Sequence, residues 1–377
     1  MKERWEYKKI KDIGSVIAGT TPNTNVADYW DGTLCWISPA ELDGSHYLYD
    51  SRKKITEAAV KAKSLKLLPE GTVILSSRAP IGKVVINKVP TYCNQGFKCV
   101  VCGKEIYNEF LYWWFWGKNE YLNSLGTGAT FKEISKKVVE EIIIPVPPLS
   151  EQQSIVDYLD AAFAKIDAMK ANAEKALNEA KALFQASLKE MLEPKEGWKE
   201  KKFGEVCWYN KNNGIHKGTR YVGMEHIEQG TGNLLDTISS DEVLSNTFAF
   251  NKGDVLYGRL RPYLKKVIVA DFDGCCSTEI FPIQSKSIIA SFLKYWFLTD
   301  EITNKVNATC AGCRMPRGNM NDLLKFDISY PALSEQQSIV DYLDSLKSKV
   351  DRLQANFEKI SQECDALKQA ILKQVFE

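Results

Sequence analysis

The sequence contains few of the residues and motifs on which enzymes depend. It has only three histidines, His46, His216 and His226, which are scattered and unpaired. Scattered single histidines do not favour acid–base catalysis or a zinc-peptidase site. The sequence also lacks an Asp/Asn-Pro-Pro-aromatic signature of an amino-methyltransferase, a glycine-rich fingerprint for a nucleotide cofactor and a Gly-Lys-Ser/Thr phosphate loop. We therefore expect a protein that is not itself an enzyme and holds no cofactor.

Long hydrophobic segments are also missing. No apolar run approaches the roughly 20 residues that span a bilayer, and the opening MKERWEYKKI has no hydrophobic core of a signal peptide. We therefore expect a cytoplasmic protein that does not enter a membrane. The ten cysteines follow no regular spacing. In that compartment they predict reduced thiols packed as small hydrophobes, without disulfides.

Two Cys-x-x-Cys pairs would suggest a zinc site in another context. They are Cys99 with Cys102 and Cys310 with Cys313, and they lie 211 residues apart in the chain. Cys99 and Cys102 also fall in a strand-like run, where residues three apart point to opposite faces. We therefore predict that the protein binds no metal.

An internal repeat organises the chain. The segment LSEQQSIVDYLD occurs at residues 149–160 and again at 333–344, which gives twelve identical positions at an offset of 184. Weaker similarity extends upstream at an offset of 182, where GTVILSSRAPIGKVVI from Gly71 aligns with GDVLYGRLRPYLKKVIV from Gly253. A length of 377 residues suits two domains of about 150 residues with connecting structure. The predicted order is a domain (1–148), a helix (149–192), a second domain (193–332) and a second helix (333–377).

Each copy of LSEQQ is expected to begin a long helix. The prolines of IPVPP and YPA, which precede the two copies, disfavour helix on the N-terminal side. Ser150 and Ser334 are good N-cap residues, and Gln153 and Gln337 stand three residues later. Each Ser-x-x-Gln can form a capping box that satisfies unpaired amide donors.

Apolar residues recur along both helices at alternating steps of about four and three, which is the spacing of a coiled-coil seam. A helix of forty residues is about 60 Å long and needs a partner for its apolar stripe. The alternative is that each helix packs on its own domain. We predict an antiparallel pair, because it lets two identical halves relate by a pseudo-twofold axis. The predicted seam residues are Ile155, Leu159, Ile166, Leu177, Phe184, Ile339, Leu343, Leu346, Val350, Leu353, Phe357, Ile360, Leu367 and Ile371.

The two domains are predicted to mix strands and helices. Short β-branched or alternating runs such as GTVILSS, KVVIN, FKCVVC, DVLYG and KKVIVA are bounded by Gly, Pro or Asn, which is typical of strands and turns. NEFLYWWFWGKNEYLNSL and ASFLKYWFLTDEITNKV each predict one amphipathic helix. The helical spacing of their aromatic residues favours core packing over base stacking. The expected fold class is α+β, with two homologous mixed domains joined by two long antiparallel coiled-coil helices.

Two basic, turn-like segments at equivalent positions are candidates for DNA contact: SSRAPIGK at residues 76–83 and GRLRPYLKK at 258–266. Arginine and lysine neutralise phosphates, and arginine also bonds to guanine through two donors. The alternative is that these residues are ordinary solvated surface charges. The candidates here are Ser76, Ser77, Arg78, Lys83, Arg259, Arg261, Tyr263, Lys265 and Lys266.

A second pair of candidate loops precedes the proline stretches. GTGATFKEISKK begins at Gly126 and CAGCRMPRGNMND begins at Cys310. The two loops differ strongly, as expected if homologous domains read different DNA sequences; the alternative is that these loops vary freely. The candidates in this pair are Thr130, Lys132, Arg314, Arg317 and Asn319.

The order of domain, LSEQQ-headed helix, domain and LSEQQ-headed helix resembles the specificity subunit of type I restriction-modification systems. The resemblance covers essentially the whole chain, and IPVPPLSEQQSIVDYLD is its most specific segment. It implies two target-recognition domains, each reading half of a split site in double-stranded DNA, with helices that set the unread spacer. It also implies two modification subunits bound to the helices, which use S-adenosylmethionine to methylate adenine. Restriction subunits that translocate and cleave DNA would complete the assembly.

Two other functions compete with this interpretation. The first is a scaffold that displays two interaction domains on a coiled coil without binding DNA, which the formal net charge of +1 favours. Basic loops from both domains on one concave face would argue against it. The second is a self-contained modification enzyme, which would need the catalytic motifs that the sequence lacks.

Overall fold

The computed structural model describes residues 5–78, 80–128, 132–209, 212–310 and 314–377. The chain divides into two compact units. The first contains the residues up to Asn172 together with Lys359–Glu377, and the second is Ala173–Glu358. Each unit therefore combines one domain with a part of both long helices. Within the described ranges, no helix is long and apolar enough to cross a membrane.

The first domain contains ten strands and five short helices among its described residues. The strands are β1 (Glu6–Lys9), β2 (Gly14–Ala18), β3 (Trp30–Ile37), β4 (Tyr47–Leu48), β5 (Lys53–Ile55), β6 (Val73–Ser76), β7 (Val84–Asn87), β8 (Tyr92–Cys93), β9 (Phe97–Cys102) and β10 (Ile143–Val146). The helices are α1 (Ile10–Ile13), α2 (Glu57–Lys63), α3 (Asn108–Gly117), α4 (Asn119–Ser124) and α5 (Lys136–Glu141).

A five-stranded sheet in the order β2-β9-β6-β7-β4 forms the centre of this domain. Its pairs are antiparallel except for β4 with β7. β6 is buried along its whole length. The helix α3 packs against this strand, and most of the aromatic side chains of α3 are buried. A three-stranded sheet, β5-β3-β8, and the antiparallel pair β1-β10 complete the domain. The turn that follows β6 is therefore attached to a buried, rigid strand.

The second domain follows a similar plan. A strand β11 (Lys199–Lys202) and a short helix α7 (Phe203–Val206) precede its sheets, and two longer helices follow them. For continuity, the helices are numbered in chain order: α6 (Leu149–Leu192), α7 (Phe203–Val206), α8 (Ala290–Leu298), α9 (Asp300–Ala308), α10 (Met320–Leu323) and α11 (Leu333–Phe376).

 The strands are β12 (Cys207–Tyr209), β13 (Asn213–Gly214), β14 (Arg220–Val222), β15 (Ile238–Ser239), β16 (Thr247–Phe250), β17 (Val255–Gly258), β18 (Val267–Val269), β19 (Gly274–Ser277), β20 (Ile280–Ser285) and β21 (Asp327–Tyr330).

The sheets of the second domain match those of the first in order. A four-stranded sheet, β12-β20-β17-β18, corresponds to β2-β9-β6-β7, and the pair β11-β21 corresponds to β1-β10. The remaining strands form a five-stranded sheet, β13-β16-β19-β14-β15, where the first domain has three strands. The central sheet is therefore shared, and the second sheet is where the two domains differ in size.

Each aromatic segment forms two helices where the sequence predicted one. In the first domain the helix breaks at Lys118, between α3 and α4, and in the second it breaks at Thr299, between α8 and α9. The Thr299 hydroxyl accepts a hydrogen bond from the Ile302 amide at 3.4 Å, so it caps a new helix at the break. The aromatic residues themselves lie in the core, as their spacing predicted.

Both long helices begin one residue before the predicted N-cap. α6 starts at Leu149 and α11 starts at Leu333, so each serine of LSEQQ lies inside the first turn. The Gln153 side chain donates to Asp157 at 2.8 Å, and Gln337 donates to Asp341 at 2.7 Å. The predicted capping box is therefore wrong, because each of these glutamines bonds forward along its own helix.

The two long helices pack in antiparallel fashion within each unit. In the first unit, the Cys364 thiol lies 3.8 Å from the Ile166 carbonyl oxygen, and Lys368 bonds to Asp167 at 2.5 Å. In the second unit, Lys181 donates to Gln354 at 2.8 Å. The predicted α+β class, with two homologous domains and a pair of long antiparallel helices, is confirmed.

Thirteen of the fourteen predicted seam residues are buried or partly buried, and Leu367 is not. Leu367 is 48% exposed. The seven-residue spacing from Leu353 through Ile360 predicts Leu367 in the seam, but its side chain is exposed where those two are partly buried. Its neighbour Lys368 takes the inner place, with its ammonium group 5.2 Å from the centre of the Phe163 ring. The prediction for Leu367 is therefore wrong.

Candidate nucleic-acid interface

The first candidate loop of the first domain is a tight turn built around a buried serine. The Ser76 hydroxyl donates to the Pro80 carbonyl at 2.7 Å and accepts from the Lys83 amide at 2.9 Å. Gly82 has a φ of 97°, a conformation that a side chain would strain. Ser76 and Ser77 are fully buried. These two predicted contact residues therefore shape the loop from inside, and their hydroxyls do not reach its surface.

A buried lysine joins this turn to the second loop of the same domain. The Lys98 ammonium group donates to the Ser77 hydroxyl at 2.9 Å and to the Glu133 carboxylate at 3.0 Å. The Ile134 amide also donates to the Ser77 carbonyl at 2.9 Å. Sequence reasoning missed Lys98, because a lysine inside a strand carries no local signal of what its side chain reaches.

The remaining candidates of the first domain lie in different settings. Arg78 is partly buried and pairs through its backbone with Glu133, whereas Lys132 is exposed. Lys83 uses its ammonium group to donate to the Leu42 carbonyl at 2.7 Å. Thr130 lies outside the described residues. The two loops are therefore brought together: Arg78 pairs with Glu133 through its backbone, and Lys132 precedes Glu133 in the chain.

The first loop of the second domain carries more positive charge. Arg261 is exposed and has a φ of 51°, and it precedes a single helical turn at Pro262–Leu264. Tyr263 in that turn is half exposed. Lys265 donates to the Leu298 carbonyl at 3.0 Å, and Lys266 donates to the Met224 carbonyl at 2.6 Å. These two lysines brace the loop, and Arg261 and Tyr263 lie on its surface.

A single carboxylate joins the two loops of the second domain. Glu279 accepts from Arg259 Nε at 3.0 Å and from Arg317 Nε at 2.8 Å. The backbones pair as well, since the Arg261 amide donates to the Pro316 carbonyl at 2.7 Å. Sequence reasoning found both arginines and missed Glu279, which lies far from Arg317 in the chain.

The other candidates of the second loop divide into one exposed residue and one structural residue. Arg314 is exposed. Asn319 caps α10, because its side-chain oxygen accepts from the Asn321 amide at 3.0 Å. Its own amide donates to the Thr309 hydroxyl at 3.0 Å. We therefore assign Asn319 to holding the loop, and Arg314 to its surface.

Buried glutamines attach each domain to its long helix in the same way. Gln152 donates to the carbonyls of Glu105 and Pro147 at 2.9 and 2.8 Å and accepts from the Tyr107 amide at 2.8 Å. Gln336 makes the three equivalent bonds to Ser287, Pro331 and Ile289. The signal that could have found them is an identical polar residue on the inner face of both helices.

The cysteines do not form a ligand cluster in the described part of the chain. Cys99 is buried, with its sulfur 3.5 Å from that of Cys93, and burial raises the pKa of its thiol. Burial also raises the pKa of Cys102 to about 12. Cys313 lies outside the described residues. Among those described, no three His, Cys, Asp or Glu side chains converge as metal ligands, and the absence of a metal stays a prediction.

Comparisons with known proteins agree on one family. The family model for the type I restriction modification DNA specificity domain matches residues 2–179 and 195–362. The chain is 45% identical over 159 residues to the type I restriction enzyme MjaIX specificity subunit of Methanocaldococcus jannaschii, which covers 41% of this chain and 37% of that protein. It is 29% identical over 310 residues to the EcoDI specificity subunit of Escherichia coli, which covers 72% and 70%. The match to the archaeal relative thus spans well under two thirds of that protein's length.

A solved structure shares the fold. It is described as the structural basis of complex assembly and conformational transition in the type I R-M system, and it matches with a TM-score of 0.78 at 20% identity. The match covers 99% of this chain and 97% of that chain. At this level of identity the likeness concerns the fold alone.

Proposed function

Because the chain belongs to the family of type I restriction modification DNA specificity domains, we propose that it is the non-catalytic DNA-recognition subunit of a type I restriction-modification complex. Each domain reads one half of a split site in double-stranded DNA. The long helices set the spacer and bind two modification subunits, and restriction subunits join the assembly. Since the substrate is cellular DNA, we place the protein in the cytoplasm.

The observation that carries this proposal is that an equivalent scaffold supports different loops. The buried glutamines and the central sheets repeat from one domain to the other. At the joined loops, the first domain has Ser77 and Glu133, whereas the second has Arg259 and Arg317 at the matching positions. Two readers of different sequences need this combination, because phosphate contacts position a domain and side chains at the bases specify it.

The domain boundaries predicted above, 1–148 and 193–332, remain part of this proposal. So do the surface residues of the four loops, which we take to be the DNA-contacting set: Arg78, Lys132, Arg259, Arg261, Tyr263, Arg314 and Arg317. The family match favours DNA recognition over a scaffold that does not bind DNA.

Exposed apolar residues on the long helices support the binding of two copies of one partner. Tyr158 and Tyr342 occupy equivalent positions and are both half exposed. Leu183 and Leu367 form a second equivalent pair and are exposed to a similar degree. Apolar side chains repeated in this way suit a repeated protein contact. In this proposal the exposed Leu367 side chain contacts a modification subunit.

The proposal is tested by selection from random DNA. The chain is co-expressed with the modification subunit encoded beside it, and duplexes of random sequence retained by the purified complex are sequenced. We expect a split motif with a fixed gap. A complex that assembles stably but retains DNA without sequence preference would overturn the proposal in favour of a scaffold.

The spacer role has its own test. Removing one heptad from both α6 and α11 shortens each by about 10 Å, or about 3 base pairs of DNA. We expect the gap in the selected motif to shrink or binding to be lost. Removing a heptad from α6 alone is the control for disrupted pairing, and an unchanged gap after the double deletion would exclude the role of the helices as a ruler.

A further inference from the structure

We propose that Glu279 orients Arg259 and Arg317 as one guanine-reading site, so that the half-site of the second domain contains a guanine. This inference rests on the proposed function. It adds the chemical group that the second domain recognises and a residue that positions the readers without touching DNA.

The three side chains form a compact cluster at the junction of the two loops. Both arginines donate from Nε to the same carboxylate, at 3.0 Å from Arg259 and 2.8 Å from Arg317. The arginine side chains are 32% and 42% exposed, whereas Glu279 is 20% exposed. The carboxylate therefore lies deeper than the two groups that it holds.

The backbone fixes Glu279 relative to both loops. The Arg259 amide donates to the Glu279 carbonyl at 2.9 Å, and the Glu279 amide donates to the Ser277 hydroxyl at 3.3 Å. The Gly318 amide donates to the Arg259 carbonyl at 2.9 Å, which joins the loops on the other side. The carboxylate is thus held by the frame of the domain and can orient both guanidinium groups.

Bonding through Nε leaves suitable donors for a base. A guanidinium group has five N–H donors, four of them on the two terminal nitrogens. One Nη of Arg317 also donates to the Met315 carbonyl, at 3.3 Å, and that nitrogen keeps a second N–H. Guanine offers two adjacent acceptors, O6 and N7, in the major groove, and arginine is their usual partner.

The net positive charge of the three side chains also favours contact with DNA. Two arginines and one glutamate carry a net charge of +1, so the carboxylate only partly offsets the attraction to DNA. Orientation before binding reduces the conformational entropy that two long side chains lose in the complex.

The first domain has the opposite arrangement at the same place. There the central group is the Lys98 ammonium, and it holds Ser77 and Glu133, which match Arg259 and Arg317 in position. No arginine pair is formed at that junction by the described residues. The inferred guanine site is therefore confined to the second domain.

The test compares selected DNA motifs for complexes that contain the wild-type chain, Glu279→Gln, Arg259→Lys or Arg317→Lys. Glutamine keeps the shape of glutamate but cannot accept from two arginines equally well. Lysine keeps the charge and loses the two-donor fork. We expect each variant to lower the preference for guanine at one or two positions of one half-site by about tenfold to a hundredfold, with the other half-site unchanged.

Glu205→Gln is the matched control, because Glu205 pairs with Lys201 outside the two loops. Thermal unfolding of each complex shows whether the variants fold. A wild-type motif without guanine in either half-site overturns the inference and leaves the proposed function intact. Equal weakening for all bases in both half-sites reduces Glu279 to a structural brace and also overturns it. A wild-type complex without any sequence preference overturns the proposed function itself.

Discussion

Each domain has a charged junction where its two loops meet, and the central group of that junction has the opposite charge in the two domains. In the first, a buried cation holds a hydroxyl and a carboxylate, through Lys98, Ser77 and Glu133. In the second, a carboxylate holds two cations, through Glu279, Arg259 and Arg317. The backbone pairing of the loops is the same in both, as shown by the isolated bridges of Glu133 with Arg78 and of Arg317 with Leu260.

The geometry of the junction and its charge are therefore separable. Each domain needs an ion pair to join two loops, but the sign of the central group is free. The groups at the surface differ accordingly. The first domain has a partly exposed carboxylate, and the second has two partly exposed guanidinium groups. The central sheets that support the two junctions nevertheless keep the same strand order.

The hydrogen bonds that attach each domain to its long helix, in contrast, are the same in both halves of the chain. Gln152 and Gln336 make three equivalent bonds each. Trp5 and Trp198 likewise donate to Glu151 and Glu335, both at 3.1 Å. Contacts that hold the domain to the helix are therefore conserved between the halves, while contacts at the loops are not.

The largest expected effect comes from the shared attachment. Gln152→Ala and Gln336→Ala each leave one buried carbonyl, one partly buried carbonyl and one partly buried amide without partners. We expect each to cost about 2 to 3 kcal/mol of unfolding free energy. Chemical unfolding of the two variants measures the loss. Gln153→Ala and Gln337→Ala are the controls, with an expected change within about 0.5 kcal/mol, because these glutamines are exposed. Clearly unequal costs for Gln152 and Gln336 would break the equivalence of the two attachments.

An intermediate effect is expected at the junction of the first domain. Lys98→Met keeps the aliphatic volume but removes the donor to Ser77 and the partner of Glu133. Since Glu133 is partly exposed, we expect a loss of about 2 kcal/mol, less than for a fully buried pair. Selected DNA should lose preference in one half-site only. Lys132→Met, on an exposed neighbour of Glu133, should leave stability within about 0.5 kcal/mol; a similar loss there would count against a specific role for Lys98.

The smallest effect on stability is expected at the strained loop of the second domain. Arg261 has a positive φ, and glycine at this position relieves the strain at the cost of a more flexible unfolded chain. We expect Arg261→Gly to change stability by about +0.5 kcal/mol and to weaken DNA binding about tenfold, with a smaller dependence on salt. Arg261→Ala should weaken binding equally without the gain in stability. Unchanged binding in both variants would remove Arg261 from the interface.

Local signals in the sequence were sufficient to predict the architecture of this protein. The repeated LSEQQSIVDYLD, the prolines before it and the heptad spacing after it are local signals, and they predicted two domains and two paired helices correctly. The burial of residues such as Leu159 and Leu343 could be predicted because a helix has a fixed period. The charged loops could also be located, because they lie between strands whose residue patterns are recognisable.

The pairing of side chains from distant parts of the chain could not be predicted in the same way and was seen first in the folded protein. The tertiary structure placed Leu367 outside the seam, because the register of two packed helices selects between neighbouring residues. It buried Ser76 and Ser77 inside a turn, and it brought Glu279 to arginines 20 and 38 positions away in the chain. The physical reason is that hydrogen bonds and ion pairs between loops depend on how strands are ordered in a sheet, and no local periodicity of the sequence records that order.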